Sequence, residues 1–198
     1  MKKPASRHYP RRLELNGTSV DFRLMTTDDA AALTGFIGQL PVHDLLFVRR
    51  DISHPKVIAA WLSSLGEQVT SLAAYAGDQL VGCSAVVVDS WSWSAHVGDL
   101  RILVAPEWRG VGLGGVLIRE SVNLAVSQGL EKLTVQMTVD QSAAITAFEA
   151  LGFQPESVLR NHVRDHEGHT YDLALLSLDV NELNALASGK GMVTAMND

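Results

Sequence analysis

The feature that most constrains this chain is a glycine-rich turn running from a strand-like segment straight into a helical one. The stretch reads Leu100-Arg101-Ile102-Leu103-Val104-Ala105-Pro106-Glu107-Trp108-Arg109-Gly110-Val111-Gly112-Leu113-Gly114-Gly115. The apolar run stops at a proline, and a helical spacing of apolar residues begins at Leu113. Four glycines between positions 110 and 115 let successive backbone N–H groups converge, because glycine adopts conformations closed to other residues. A helix N-terminus adds partial positive charge, and Arg109 places a full charge at the rim. Together these make an anion site suited to a diphosphate. A plain tight turn would need only one or two glycines.

Two other phosphate ligands are poorer matches. Gly110-x-Gly112-x-x-Gly115 has the spacing of a dinucleotide fingerprint, a weak signal alone. That fold wants the glycines directly after the first strand, with an acid about 20 residues on at the end of a second. Here several strands precede the turn, and Glu131 stands before its strand. A nucleoside-triphosphate loop is excluded, since no Gly-Lys-Ser/Thr follows the glycines.

Around the turn, the periodicity orders the elements. A short strand covers residues 20–25, and Thr26 or Thr27 caps a helix with Asp28 and Asp29 in its first turn. Residues 38–52 are irregular, and a second helix starts near Ser53 with Val57, Ile58, Trp61, Leu62 and Leu65 on one face. Strands over 69–76 and 79–89 meet at Gly77-Asp78, a hairpin signal. A strand over 95–104 precedes the turn, and a helix over 113–127 stops at Gly129. A strand over 133–137, a helix over 142–151 and a final hairpin around Glu167-Gly168 complete the order. Hairpins at both ends and a single β-α-β unit between them predict an α+β fold: a mixed, mostly antiparallel sheet flanked by helices. Residues 1–17 are expected to be a flexible basic arm, 18–180 one domain and 181–198 a tail.

The pattern Val-x-Pro-x-x-Arg-Gly-x-Gly-x-Gly over Val104–Gly114 resembles the acetyl-CoA motif of the GNAT superfamily of N-acetyltransferases. A second stretch, Gln141-Ser142-Ala143-Ala144-Ile145-Thr146-Ala147-Phe148-Glu149-Ala150-Leu151-Gly152-Phe153, is similar to that family's Asn-x-x-Ala-Ile-x-x-Tyr-x-x-x-Gly-Phe signature. The resemblance covers about residues 18–178. More loosely, the strand Asp99–Val104 is similar to the branch containing bacterial protein lysine acetyltransferases. The resemblance implies the GNAT fold, with acetyl-CoA as acyl donor. It implies that backbone groups of Ile102, Leu103 and Val104 pair with the pantetheine arm. It gives the diphosphate to Arg109, Gly110, Val111, Gly112, Leu113, Gly114 and Gly115, and a cofactor contact to Gln141, where the family usually has asparagine. Phe148 departs from the family's tyrosine, which protonates the departing thiolate. A thiol leaves readily as thiolate, since its reference pKa is about 8.5, so activity without that tyrosine remains chemically sound.

An amine attacks a thioester only when unprotonated, so a lysine-like acceptor needs a base. Asp99 is the candidate, where the protein-acetyltransferase branch has a glutamate. Asp99, Arg101 and Leu103 share one strand face by alternation, and the competing role for Asp99 is an ion pair with Arg101 or a neighbouring strand. The N–H of Leu103 or Val104 would hold the oxyanion. The acceptor side falls to residues 38–52, where His43, Asp44, Arg49, Arg50 and Asp51 mix charges; singly, each fits a solvated loop. Trp91 and Trp93, alternating with serines, suggest core or rim packing. His162, His166 and His169 match no common zinc spacing, so no metal is expected. Cys83, the single cysteine, lies in an apolar run and reads as a buried hydrophobe.

A net charge of −6 argues against nucleic acid as a partner, and no segment is apolar enough to span a bilayer. The basic N-terminus is not followed by an apolar run, and one cysteine excludes an internal disulfide framework, so a cytoplasmic protein is expected. A homodimer is compatible with such a fold. The function expected is acetyl transfer from acetyl-CoA to a primary amine on a small molecule, a protein lysine or an N-terminus. The alternatives are a non-catalytic acyl-CoA-binding regulatory domain and, third, a dinucleotide-binding domain.

Overall fold

Asn16 and Gly17 take left-handed conformations, φ 50° and 75°, and so close a two-residue hairpin between β1 (Arg11–Leu15) and β2 (Thr18–Leu24). The computed structural model describes residues 8–46 and 51–181. The strand β1 corrects the expectation of a loose arm through residue 17. Its anchor is electrostatic: Arg11 ion-pairs with Glu120, which is buried on a distant helix, and the Tyr9 hydroxyl donates to the same carboxylate at 2.9 Å. A buried carboxylate is stable only when paired and hydrogen-bonded, so the N-terminal strand and that helix need each other.

The remaining elements are α1 (Ala30–Gly38), α2 (Pro55–Ser63), β3 (Val69–Ala76), β4 (Gln79–Val87), β5 (Val97–Val104), α3 (Leu113–Gln128), β6 (Lys132–Thr138), α4 (Ser142–Glu149), β7 (Gln154–Arg164) and β8 (Thr170–Asp179). All described strands join one eight-stranded sheet in the order β1-β2-β3-β4-β5-β6-β8-β7. Every pair of these strands is antiparallel except β5 and β6. The α+β fold with a mixed, mostly antiparallel sheet is therefore as expected.

Helices cover both faces. Leu33, Phe36 and Ile37 of α1 and Ile58 and Leu62 of α2 pack on Ala73, Cys83 and Leu103. On the other face Leu113 and Leu117 of α3 meet Phe22, Ala74 and Val81, while Ile118 and Val122 join Leu100, Leu133 and Phe153. Each such fully buried leucine or phenylalanine contributes about 2 kcal/mol relative to an exposed one. Cys83 is 1% exposed, and burial pushes its thiol up to about 12, which fits the reading of a buried hydrophobe.

The sheet opens at one place. β5 and β6 are in register only at Val97↔Lys132, Gly98↔Leu133 and Asp99↔Thr134. Past that point β5 follows β4 and β6 follows β8, so the two parallel strands diverge. Gly98 sits at the apex: a Cβ there would lie 2.9 Å from each of Leu130, Leu133 and Val86. Only glycine lets the strands close so tightly before they part.

Candidate active site

The divergence leaves the edge of β5 open. Ala105 donates its N–H to Val81 O at 2.9 Å, which fixes the strand's alternation. A residue in an antiparallel pair directs its N–H and C=O to the same neighbour, and the next residue to the other side. Leu103 therefore spends its backbone on β4, while Ile102 and Val104 present theirs to the opening. Of the three residues expected to pair with pantetheine, Ile102 and Val104 turn their backbone groups to the opening, and Leu103 turns its N–H and C=O to β4.

Above the opening stands the glycine turn. Gly110 and Gly112 take φ values of 73° and 92°, the left-handed region where a side chain is strained. The first helical bond of α3 runs from Val116 N–H to Gly112 O at 3.1 Å, and no side chain caps the helix. The amides of Leu113, Gly114 and Gly115 are thus the orphan donors of a helix N-terminus. A Cβ on Gly114 would meet only Val104 Cγ2, at 3.9 Å: the space over the helix end is open, as a diphosphate requires. Leu113 itself is fully buried and Val111 packs beside it in the core, so the side chains of these two point away from the cleft.

These parts enclose a cleft of about 550 Å³ lined by Ile102, Leu103, Val104, Arg109, Gly110, Gly112, Gly114, Gly115, Gln141 and Phe148. Gln141 precedes α4, its N–H bonded to Thr138 O at 3.0 Å. Phe148 is buried edge-on against Phe153, ring centroids 5.0 Å apart.

Two acids line the same cleft: Asp140, which the sequence did not single out, and Asp44, which was expected on the acceptor side. Asp44 Oδ2 lies 2.5 Å from Arg109 Nη2, which also donates to Val104 O at 3.3 Å. Beside it, His43 Nε2 lies 3.0 Å from Asp140 Oδ2 and 3.2 Å from Thr138 Oγ1. Burial alone would raise Asp140, but hydrogen bonding by Thr138 and the His43 ring hold it below the usual carboxylate range. The short 3₁₀ turn Val42–Leu45 is thereby tied to both walls. Asp44 and Arg109 are 65 residues apart, and no local pattern announces the pair. Arg49 and Arg50 lie outside the described residues.

A second cavity of about 600 Å³ lies on the opposite sheet face, between α2 and the β4–β5 floor. Its walls include Ile52, Val57, Trp61, Val87, Arg101 and Leu103, so Leu103 lines both cavities. Asp99 shares the face of Arg101 and Leu103, since β4 and β5 pair without a bulge. Its Oδ2 accepts from Arg101 Nε at 3.0 Å and Nη2 at 2.8 Å.

Trp91 and Trp93 are 93% and 102% exposed, which overturns the expectation of core or rim packing. Asx and hydroxyl turns at Asp89 and Ser92 hold their loop with both rings outward. Of the histidines, only His169 joins a cluster, with Asp165 and Glu167. There the Asp165 carboxylate caps the hairpin turn, accepting from Glu167 N–H, His169 N–H and the Tyr171 hydroxyl, each at 2.9 Å.

Residues 39–153, which span the second cavity's helix, the glycine turn and α4, match the acetyltransferase (GNAT) family. The chain belongs to that family. Its members use acetyl-CoA, and the chain is an acyl-CoA-dependent N-acetyltransferase, the catalytic reading being favoured over a non-catalytic acyl-CoA-binding domain. It is 25% identical over 159 residues to the streptothricin acetyltransferase of Streptomyces lavendulae, covering 70% of this chain and 83% of that protein. It is 28% identical over 80 residues to the ribosomal protein bS18-alanine N-acetyltransferase of Salmonella typhimurium, covering 40% and 53%. Among solved structures, a GNAT acetyltransferase from Streptococcus pneumoniae superposes with a TM-score of 0.71 at 21% identity, over 81% of this chain and 99% of that one. Salmonella typhimurium yncA, solved with its cofactor acetyl-CoA, superposes at 0.68 with 20% identity, over 81% and 94%.

Proposed function

We propose that acetyl-CoA occupies the β5–β6 cleft and that a primary amine enters from the second cavity, the two meeting at Leu103. The observation that carries this is the opening itself: strand edge, orphan helix amides and Arg109 face one cleft, and Leu103 lines both that cleft and a cavity on the far face. Relatives named for streptothricin and for a ribosomal-protein alanine support an amine acceptor, small or proteinaceous.

In this reading Ile102 and Val104 align the pantetheine arm like a neighbouring strand. The amides from Gly110 to Gly115 and the Arg109 guanidinium hold the diphosphate, and the Gln141 amide borders it. Bound acetyl-CoA supplies an activated thioester: the amine forms the C–N bond while the C–S bond breaks with its electron pair on sulfur. The Val104 N–H donates to the carbonyl oxygen as negative charge develops there. Asp99 lies on the same face about 13 Å along the strand from Leu103, so it would take the proton that leaves nitrogen through intervening water once its tie to Arg101 loosens. Phe148 brings no proton, so sulfur departs as thiolate. The chemistry needs no metal. A reducing cytoplasm suits a chain whose lone cysteine is a buried thiol, and the catalytic domain runs from β1 to about residue 180.

The test pairs acetyl-CoA with an amine panel and detects released thiol. Asp99→Asn should lower kcat/KM by about 100-fold, with coenzyme A affinity unchanged. Loss of coenzyme A binding in the wild type would remove the whole assignment; an unaltered Asp99→Asn would remove only the base.

A further inference from the structure

Among the described residues Arg101 is the one cation lining the second cavity. The cavity is otherwise mostly apolar, walled by Ile52, Val57, Trp61, Val87 and Leu103. Directly across the strand pair from Arg101 stands Ala85, whose methyl leaves the guanidinium uncovered. Arg101 spends two donors, Nε and Nη2, on a single oxygen of Asp99. Among the described residues, Nη1 has no hydrogen-bond partner. A part-buried guanidinium with an unspent edge against apolar walls matches a carboxylate far better than it matches water.

From this we infer that the acceptor is an amino acid: an amine that also carries one carboxylate, with an apolar body. The inference rests on the acetyltransferase reading above and names the substrate class for that site. Arg101 lies two residues from Leu103 on the same face, so a carboxylate on Arg101 leaves the amine within about 7 Å of the wall shared with the cofactor cleft. Asp89, the other charged liner, sits beyond Val87 at the far end of the β4 floor, where it repels a second anion. The substrate is accordingly a monocarboxylate, held amine-inward. Its carboxylate competes with Asp99 for the guanidinium, so acceptor binding frees Asp99 from its ion pair on the side of Arg101 away from Leu103. Arg101 is thus a specificity residue.

Calorimetry on protein saturated with coenzyme A tests this without turnover. The probes are the common L-amino acids, β-alanine and 4-aminobutyrate, each beside its primary amide and its decarboxylated amine. At least one acid should bind about 10- to 100-fold tighter than its amide. Arg101→Gln should erase that preference and Arg101→Lys retain part of it, both with wild-type coenzyme A affinity as the check on folding. In turnover, the amide of the best acid should show a raised KM, and Arg101→Gln should remove that difference. Equal binding of acids and amides overturns the inference, as does a preference that survives Arg101→Gln. So does the failure of every acid to bind protein that does take up coenzyme A. If coenzyme A itself does not bind, the acetyltransferase site falls first and this inference with it.

Discussion

The Arg109 guanidinium is bound to the Asp44 carboxylate, Nη2 to Oδ2 at 2.5 Å, across the mouth of the cofactor cleft. The same nitrogen reaches Val104 O at 3.3 Å, a carbonyl on the strand edge assigned to pantetheine. Asp44 thus occupies the position of an anion on a residue whose proposed partner is a diphosphate, and the two acids compete for one cation.

Removing that competitor should strengthen cofactor binding. Asp44→Asn is expected to tighten coenzyme A about three- to fivefold, the scale of a part-exposed ion pair. Arg109→Ala should weaken it and reduce its salt dependence. Titration calorimetry at low and high ionic strength reads both.

The four glycines of the turn should separate into two kinds. Gly112, at φ 92°, has a conformational reason, so Gly112→Ala should cost about 1–2 kcal/mol of stability. Gly114 is helical with open space around its Cβ position, so Gly114→Ala should keep or raise stability, by up to about 0.5 kcal/mol. Yet its methyl would stand where the diphosphate sits, and coenzyme A affinity should fall at least about tenfold. Thermal unfolding with and without coenzyme A distinguishes the two.

Phe148 is 5% exposed and lines the cleft, in the place of the family's tyrosine. Phe148→Tyr restores a proton donor and should raise kcat about tenfold, whereas Phe148→Leu should not. An unchanged kcat in the tyrosine variant would show that thiolate departure does not limit the rate.

Acid stability should depend on Asp29, which is 3% exposed at the start of α1. Burial alone would raise its carboxyl. Hydrogen bonds from Arg23, from the Tyr75 hydroxyl at 2.6 Å and from Thr26 N–H at 2.8 Å outweigh that and lower it to about 2. Burial, and after it the same hydrogen bond, push Tyr75 up to about 12. Because the folded value lies below the unfolded 3.8, the pair stabilises the protein fully above about pH 4 and progressively less down to pH 2. Asp29→Asn should therefore cost about 2 kcal/mol at neutral pH, with the gap to wild type closing across that window in urea titrations.

Much of the fold was legible because its signals are local. The Gly77-Asp78 hairpin, the helix from Leu113 to the Gly129 stop and the β-α-β unit all announce themselves within a few residues. The β1–β2 hairpin was equally local, at Asn16-Gly17. It was missed because the basic residues flanking it resemble a solvated arm, and their partner Glu120 lies more than a hundred positions away. Trp91 and Trp93 carried the opposite trap: tryptophan belongs in cores by its area, yet short side-chain turns hold this loop outward.

By itself, then, the sequence determined the anion-binding turn and the order of elements around it. Glycine conformations, helix ends and strand alternation are set by neighbours along the chain. Only the tertiary structure decided which strand edge stands open, that Asp44 rather than solvent meets Arg109, and that Arg101 lies on the floor of a cavity beside Leu103. Those relationships arise where β5 parts from β6 and where α2 roofs the sheet. Non-local packing sets them, and no pattern along the chain encodes a distance between residues that only the fold brings together.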